Sequence, residues 1–546
     1  MGIYLNPGYQ AFQEAIHSDI YVDKTEMILY MNSVVKTKQK YVSVSRPRRF
    51  GKTMAVDMLC AYYGKSSDSH SLFKNWNIAK HKDWDIYLGK FDVIRVIMTK
   101  FFKKNVSVDE SLYKMQKLIV RDICKDYPDV DYFDQDDLVQ TMEDLYAATG
   151  KQFIIVIDEW DAVFRVRKED KNGQTEYLDF LRDLLKDKEY IALAYMTGIL
   201  PIKKYGEHSA LNMFDEYSMI QPMQLAGFTG FTEAEVKKLC NEYEMSYDEI
   251  SSWYDGYLIS DRIPVEKRSL YRQGKYEEHK IFIYNPLSVV KAMMSGVIEN
   301  YWNNTETYEA LAEYIRKDFD GLKETTALLM DGARVKVNLS KYQNDMTTFR
   351  TKEDILALLI HLGYLGYDND NEEVFIPNRE VLEVFKDSTD TVEWTDTFTS
   401  FRSSLELLKA TWKCDEKRVA ELIEAAHDKA GNKTYNDEAA LSYAIRLAYY
   451  AAQKYYTTIK ELDTGKGYAD LVYLPSPKYS DKPALLIELK YGKSTEDAMK
   501  QIQKESYLSD LEHYRGNILV IAVNYDKEIS NKQNGFKHHS CKIEKA

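Results

Sequence analysis

Cysteine is scarce in this 546-residue chain, and its spacing excludes two classes of small scaffold. Cys60, Cys124, Cys240, Cys414 and Cys541 are scattered singly, so neither a disulfide framework nor a zinc site is expected. No apolar run approaches the roughly 18 residues that a membrane span requires, so no transmembrane helix is expected. The opening MGIYLNPGYQAFQ has no basic region followed by a long apolar core, which argues against a secretory leader. Asn6 stands where N-myristoylation needs Ser or Thr. From these absences a cytoplasmic protein, off the membrane, is expected. Internal repeats, low-complexity tracts and long Gly/Pro linkers are absent too. A broad basic surface is also missing, because the net charge is −13. Residues 401–546 hold 23 Lys+Arg and 21 Asp+Glu, against 50 and 65 in the first 400. Any contact with nucleic acid is therefore local, and the C-terminal part is the place to look for it. What remains, 45% apolar and 29% charged residues, is the composition of a globular chain long enough for two to four domains.

The most informative stretch is Tyr41–Met54, YVSVSRPRRFGKTM. Tyr41-Val42-Ser43-Val44 reads as the end of a buried strand. Met54, Val56, Met58 and Leu59 recur at helical spacing. Between them lie Arg46, Pro47, Arg48, Arg49, Phe50, Gly51, Lys52 and Thr53. Strand, tight loop, Gly-Lys-Thr and helix is the layout of a phosphate-binding loop. There, backbone N–H groups and a helix N-terminus face phosphate oxygens, a Lys reaches the β/γ oxygens and a Thr hydroxyl holds Mg²⁺. The first glycine of that motif is replaced by Arg46.

About a hundred residues on, Lys151–Ile157, continuously apolar from Phe153, ends in Asp158-Glu159-Trp160-Asp161. Such a run reads as a strand buried on both faces, and packing gives little reason for acids at its end. Asp158 is placed to hold Mg²⁺, directly or through water, and Glu159 to orient and deprotonate an attacking water. Phe91–Thr99 and Tyr190–Met196 read as further strands, and Asp109–Asp126 and Tyr177–Lys186 as helices. This alternation predicts a parallel sheet with helices on both faces. Thr197, at the end of the last of these strands, is either a γ-phosphate sensor or part of a Thr-Gly turn.

The loop Arg46–Thr53, with Tyr21-Val22-Asp23-Lys24-Thr25 before it and Asp158–Asp161 after it, resembles the bacterial AAA-ATPase-like family. In that family Arg-Pro-Arg-Arg-Phe takes the place of the Gly-rich loop. The resemblance implies ATP as the nucleotide and the loop residues, Asp158 and Thr197 as its surroundings. Asp23-Lys24 fits either an adenine-side contact or the cap of a helix over Lys24–Val35. Arg46, Arg48 and Arg49 are more cations than one triphosphate needs beside Lys52 and Mg²⁺. At least one is expected to face an acid such as Asp161, or a nucleotide in an adjacent subunit of a homo-oligomer.

From Glu233 the chain reads as mainly helical. Trp253–Tyr257 reads as a turn, Pro286 opens a helix, and Trp302-Asn303-Asn304-Thr305 resembles the lid region of that family. Lys352–Phe385 reads as helix, turn, strand, polar turn, strand and helix, a winged-helix pattern. Asp368, Asp370, Glu372 and Glu373 in the wing would repel phosphate, which favours a packing or lid role over DNA contact.

The second constellation lies near the C-terminus. A helix over Leu441–Tyr455 precedes strands at Tyr456–Leu462, Tyr468–Leu474 and Ala484–Lys490, with Gly465-Lys466-Gly467 as a turn. Alternate strand residues share a face, so Glu488 and Lys490 project together while Leu485, Ile487 and Leu489 enter the core. With Asp470 on the neighbouring strand, two carboxylates and a Lys form a compact Mg²⁺ site. The Lys is suited to position a water or to neutralise developing charge. The pattern Gly467-Tyr468-Ala469-Asp470, Glu488-Leu489-Lys490, Ala498–Ile502 and Tyr507 resembles the PD-(D/E)XK nuclease core. That resemblance implies Glu438 as a helix carboxylate, Asp470 and Glu488 as metal ligands, Lys490 as the catalytic cation and Gln501 on the following helix. Mn²⁺ is an alternative to Mg²⁺ there.

The expected fold is α/β, in three segments. They are a P-loop parallel-sheet ATPase over 1–232, a mainly helical lid or winged-helix region over 233–400, and a restriction-endonuclease-like α/β domain over 401–546. The expected function is ATP hydrolysis coupled to cleavage of DNA or RNA phosphodiesters. The alternative is a non-cleaving regulator in which ATP switches nucleic-acid binding.

Overall fold

The computed structural model describes residues 2–65, 69–202, 211–261, 279–302, 308–315, 321–339, 349, 351–389, 403–430, 445, 448–449, 451–452, 455–463, 468–475, 479–491, 517–526 and 538–546. The chain divides into two compact units, Met1–Ser388 and Thr389–Ala546. The segment expected over 1–232 and residues 233–388 of the next fall in one of these units.

The first unit is built on strands β1 (Tyr41–Ser45), β2 (Asp92–Ile97), β3 (Phe153–Asp158), β4 (Ile191–Gly198) and β5 (Asp215–Tyr217). They form one sheet in the order β2-β3-β4-β1-β5, and every neighbouring pair is parallel. Every residue of β1, β3 and β4 is buried, as a sheet covered on both faces demands. On one face Val42, Val44, Ile154, Val156 and Tyr195 share a core with Val56, Leu59 and Cys60 of the helix Lys52–Tyr63. On the other, Val96, Ile155 and Ile157 meet Met115, Ile119, Leu138 and Leu184, from three further helices, around a small apolar cavity. The helix expected from Lys24 begins at Met27. Asp23 accepts the backbone N–H of Thr25 at 2.8 Å and of Asn77 at 2.7 Å. Half-buried Lys24 donates to Glu235 at 2.6 Å and to the Gly227 carbonyl at 2.7 Å. The Asp-Lys pair therefore ties the lead-in to the later chain.

The remainder of this unit is less helical than its sequence suggests. Strands β6 (Phe231–Thr232), β7 (Tyr257–Asp261) and β8 (His279–Tyr284) form an antiparallel sheet in the order β6-β8-β7. Trp253 and Tyr254 end a helix, Tyr247–Tyr254, rather than forming a turn. Pro286 does open a helix, capped by Asn285. The helix Lys352–Leu362 leads into a three-stranded sheet of β9 (Val335–Lys336), β10 (Gly366–Asp368) and β11 (Glu373–Phe375), in the order β10-β11-β9, and then into the helix Arg379–Ser388. In the turn of this sheet Asp368 is buried and paired with Lys280 and Arg334, each at 3.3 Å.

This region packs directly on the loop that follows β1. Gly363, at φ 89°, lies so close to Pro47 and Trp302 that a Cβ would stand 2.8 Å from one and 2.9 Å from the other. The Tyr257 hydroxyl donates to the Gly363 carbonyl at 2.5 Å, and its ring meets Phe50 edge-on at 5.3 Å. Trp302 is held in turn by Glu380, a carboxylate only 1% exposed. Glu380 accepts the backbone N–H groups of Tyr301 and Trp302 at 2.8 and 2.9 Å and the Ser288 hydroxyl at 2.9 Å.

Burial pushes the Glu380 carboxyl up to about 7 from an ordinary 4.5, outweighing those three donors. The folded chain therefore takes up a proton that the unfolded chain does not hold between those values. The resulting stability is complete below about pH 4.5 and is lost as the pH rises through about 7, a change on the order of 3 kcal/mol. Glu380→Gln accepts from the two backbone groups and donates to Ser288 at every pH. Urea unfolding at pH 5 and pH 8 should show a drop in wild-type stability that is smaller by about that amount in the variant. Equal drops in both proteins would remove Glu380 as its source.

The second unit holds β12 (Tyr456–Asp463), β13 (Tyr468–Pro475), β14 (Ala484–Tyr491), β15 (Ile518–Tyr525) and β16 (His539–Lys545), in that spatial order. β14 and β15 are parallel, and the other neighbours are antiparallel. Leu485, Ile487 and Leu489 enter a core with Leu519, Ile521 and Val523, and Val419, Leu422 and Ile423 of the helix Glu416–Ala430 cover it. Glu424 of that helix accepts the His539 ring at 2.6 Å and the His538 and His539 backbone N–H groups. Burial opposes its ionisation, yet these donors hold its carboxyl down to about 2. Glu438, Gln501, the turn at Gly465–Gly467 and most of the expected helix over Leu441–Tyr455 lie outside the described residues.

Candidate active sites

In the first unit three strands deliver their C-terminal ends to one place, because β3, β4 and β1 are neighbours and run the same way. Such strand ends are where open parallel sheets bind ligands. The β1 end continues into the loop Arg46–Gly51, and its first residue is tied to the β4 end by Arg46 N–H donating to the Gly198 carbonyl at 3.1 Å. The tight bend needs left-handed backbone at Arg49 (φ 68°) and at Gly51 (φ 82°), the residue before the helix. Lys52 is buried, and its ammonium donates to the Arg46 and Pro47 carbonyls at 2.9 and 2.8 Å. Burial pushes it down to about 8, opposed by the nearby Asp161, Asp158 and Glu159.

Asp158 is the junction of the site. Its two carboxylate oxygens each accept one hydroxyl, Thr53 Oγ1 at 2.9 Å and Thr197 Oγ1 at 2.6 Å. The helix that follows β1 and the ends of β3 and β4 thus meet at one buried carboxylate. Thr53 and Asp158 offer adjacent hard oxygen donors at the mouth of the loop, a set that fits Mg²⁺. Glu159 follows in left-handed backbone, φ 55°, with its side chain 33% exposed. Trp160 and Asp161 then turn back onto the β4 exit. Trp160 donates its backbone N–H to Thr197 O at 2.9 Å and its indole N–H to Leu200 O at 3.2 Å. Asp161, with no exposed surface, accepts the N–H groups of Ile199 and Leu200 at 3.2 and 3.1 Å.

The loop arginines do not all point the same way. Arg46 turns inward, is 1% exposed, and gives Nη1 to the carbonyls of Ser45 and Tyr217, both at 2.8 Å. Burial pushes its guanidinium down to about 10. Arg48 and Arg49 are exposed at the tip, while Phe50 is buried against Tyr257.

In the second unit Glu488 and Lys490 share a face of β14, 1% and 7% exposed, and Lys490 Nζ donates to Glu488 Oε1 at 2.9 Å. Asp470 lies on the adjacent strand β13. Leu471 pairs with Ile487, so Asp470 and Glu488 each stand one step past a paired position, in the same direction across the sheet. These backbone positions fit a two-carboxylate cation site. Among the described residues no group of three or more His, Cys, Asp or Glu is placed to hold a metal ion.

Two further residues enter these surroundings without belonging to a motif. Arg165 bridges Glu159 and Asp161. Its one sequence signal is the four-residue spacing from Asp161. Asn524 is buried on β15 and stands opposite Lys490 in the register of β14 and β15. It is the polar residue that ends the apolar run ILVIAV.

Comparison with known proteins agrees with this division. Residues 7–206 match a predicted AAA-ATPase family, and residues 440–534 match the PD-(D/E)XK nuclease superfamily. An uncharacterized protein in the vnfD 5' region of Azotobacter chroococcum mcd 1 is 22% identical over 320 residues, 56% of this chain. The chain spans about half of that relative, 55% of its length. Among solved structures, the Aeropyrum pernix ORC2 protein aligns at 10% identity over 68% of this chain and 96% of its own, with a TM-score of 0.27. The A. pernix ORC1 protein in complex with DNA aligns at 10% identity over 73% and 99%, with a TM-score of 0.26. No helix among the described residues is long and apolar enough to cross a membrane. The loop and acid pair fall within the first match and the Glu488–Lys490 strand within the second: the chain carries a predicted AAA-ATPase domain over residues 7–206 and a PD-(D/E)XK nuclease superfamily domain over residues 440–534.

Proposed function

We propose that the chain binds and hydrolyses ATP in its first unit and that this activity governs a Mg²⁺- or Mn²⁺-dependent nuclease in its second, acting on DNA or RNA phosphodiesters. The observation that carries the reading is the meeting of Thr53, Asp158 and Thr197 at the mouth of a loop that already holds Lys52. The loop N–H groups and the N-terminus of the helix Lys52–Tyr63 receive phosphate oxygens, and Lys52 supplies the cation. Thr197, held on Asp158, stands where a terminal phosphate is sensed. Glu159 takes the proton of the attacking water.

In the second unit Asp470 and Glu488 are the proposed cation ligands, and Lys490 positions the water or meets the charge that develops on the phosphate. A divalent cation, when bound, would supply positive charge to the phosphate oxygens. Glu438 and Gln501 remain part of this reading from the resemblance alone. Nucleic acid is the proposed partner, and cytoplasm the proposed location.

The test is cleavage of single- and double-stranded DNA and RNA with either ion, with and without ATP, by wild type and Lys52→Ala. Wild type should cut, and the variant should cut less wherever ATP stimulates. Equal cutting by both proteins would leave two independent enzymes on one chain. Binding without cutting under every condition would favour an ATP-switched regulator.

A further inference from the structure

Glu159 presents a physical problem that its own backbone does not solve. Left-handed φ is costly for a residue with a Cβ, and a carboxylate with a third of its surface exposed has several rotamers open to it. A base that must meet a water in one geometry needs something to hold it. Arg165, on the short helix Ala162–Val166, is the group in reach. Its Nε donates to Asp161 Oδ2 at 3.1 Å and its Nη2 to Glu159 Oε2 at 3.4 Å, with the side chain 12% exposed. Asp161 is itself fixed by the Ile199 and Leu200 N–H groups, immediately past Thr197 and Gly198. A continuous arm thus runs from the end of β4 through Asp161 and Arg165 to Glu159. It begins two residues from the hydroxyl that holds Asp158.

We infer that Arg165 is a positioning residue for ATP hydrolysis: anchored on buried Asp161, its guanidinium sets the Glu159 carboxylate toward the attacking water. The inference rests on the reading of Glu159 as the base. An arginine suits the task because its planar fork engages two acids in fixed directions, whereas a lysine offers one mobile point charge. An ion pair that merely closes the short helix needs Asp161 and any cation four residues on.

Lysine therefore separates the two roles. Full-length wild type, Arg165→Lys, Arg165→Ala and Glu159→Gln are compared for ATP turnover, KM for ATP and melting temperature. Arg165→Lys keeps the Asp161 pair and should melt like wild type with KM within about two-fold, while kcat falls about ten-fold or more. Arg165→Ala should lose at least as much in kcat. Wild-type kcat in Arg165→Lys, beside an inactive Glu159→Gln, overturns the inference and leaves the base reading standing. A kcat loss accompanied by an equal rise in KM and a lowered melting temperature marks a structural strut and also overturns it. Wild-type turnover by Glu159→Gln removes the base reading and the inference with it.

Discussion

Asp470→Ala is expected to lower phosphodiester cleavage on the order of 10³-fold while ATP turnover stays at the wild-type level, because the carboxylate is a proposed cation ligand in a unit separate from the ATP loop. Glu488 should show the same pattern, but the choice of substitution matters. Glu488 is 1% exposed and holds the buried ammonium of Lys490 at 2.9 Å. Alanine there leaves a buried cation without its acid, which typically costs about 3–5 kcal/mol of stability. Glu488→Gln keeps volume and an acceptor oxygen for Lys490, though not the charge, so its loss of cutting reports on the cation site where its melting temperature stays at the wild-type value. Lys490→Ala should stop cleavage yet leave Mn²⁺ affinity largely in place, since the role proposed for the ammonium is on water or on phosphate charge. The measurements are matched: phosphodiester cleavage, Mn²⁺ affinity by titration calorimetry, ATP turnover and melting temperature on each variant. Undiminished cleavage by folded Asp470→Ala and Glu488→Gln proteins would end the nuclease assignment.

The other large effect belongs to the ATP site. Lys52→Ala should abolish hydrolysis and weaken nucleotide binding, because the loop loses the cation proposed to reach phosphate and the bridge across the Arg46 and Pro47 carbonyls. Glu159→Gln should bind ATP like wild type and hydrolyse it about 10²–10⁴-fold more slowly, since an amide cannot accept the proton of the water. The amide oxygen still accepts from Arg165, so the arm that fixes this side chain survives the substitution. Nucleotide affinity and single-turnover hydrolysis, measured on the same preparations, separate binding from chemistry. Wild-type turnover in Glu159→Gln would place the base elsewhere. Asp161, the next acid along the chain, is then a poor substitute: it has no exposed surface and is committed to Arg165 and two backbone N–H groups.

Some of this was legible in the residues because the signals are local. A strand buried on both faces must be continuously apolar, so Phe153–Ile157 declares β3, and Asp158 at its end stands out against that run. Period-two alternation separates Glu488 and Lys490 from Leu485, Ile487 and Leu489, and the sheet of the second unit places them on those faces. Glycine next to Lys-Thr marks a backbone bend that side chains resist, and Gly51 is left-handed there. Local signals failed where pairing is distant. Tyr257–Asp261 and His279–Tyr284 lie in a stretch that reads as helical, yet they pair as strands because their partners are each other and Phe231–Thr232.

The sequence by itself determined which residues carry charge at strand ends, since hydrophobic period and backbone freedom are properties of a few neighbouring positions. Only the tertiary structure decided what those residues meet. Thr53 and Asp158 are 105 positions apart and touch because β1 and β3 flank β4 in a parallel sheet. Arg46 faces inward because the carbonyls that receive it belong to Ser45 and, across the sheet edge, to Tyr217. Pro47 packs on Gly363 and Phe50 on Tyr257, each more than 200 positions away, which no local pattern announces. Arg165 acquires its two acids because the β4 exit pins Asp161 beside Glu159. In each case the deciding energy is burial or a hydrogen bond between groups brought together by chain topology, which a linear pattern does not encode.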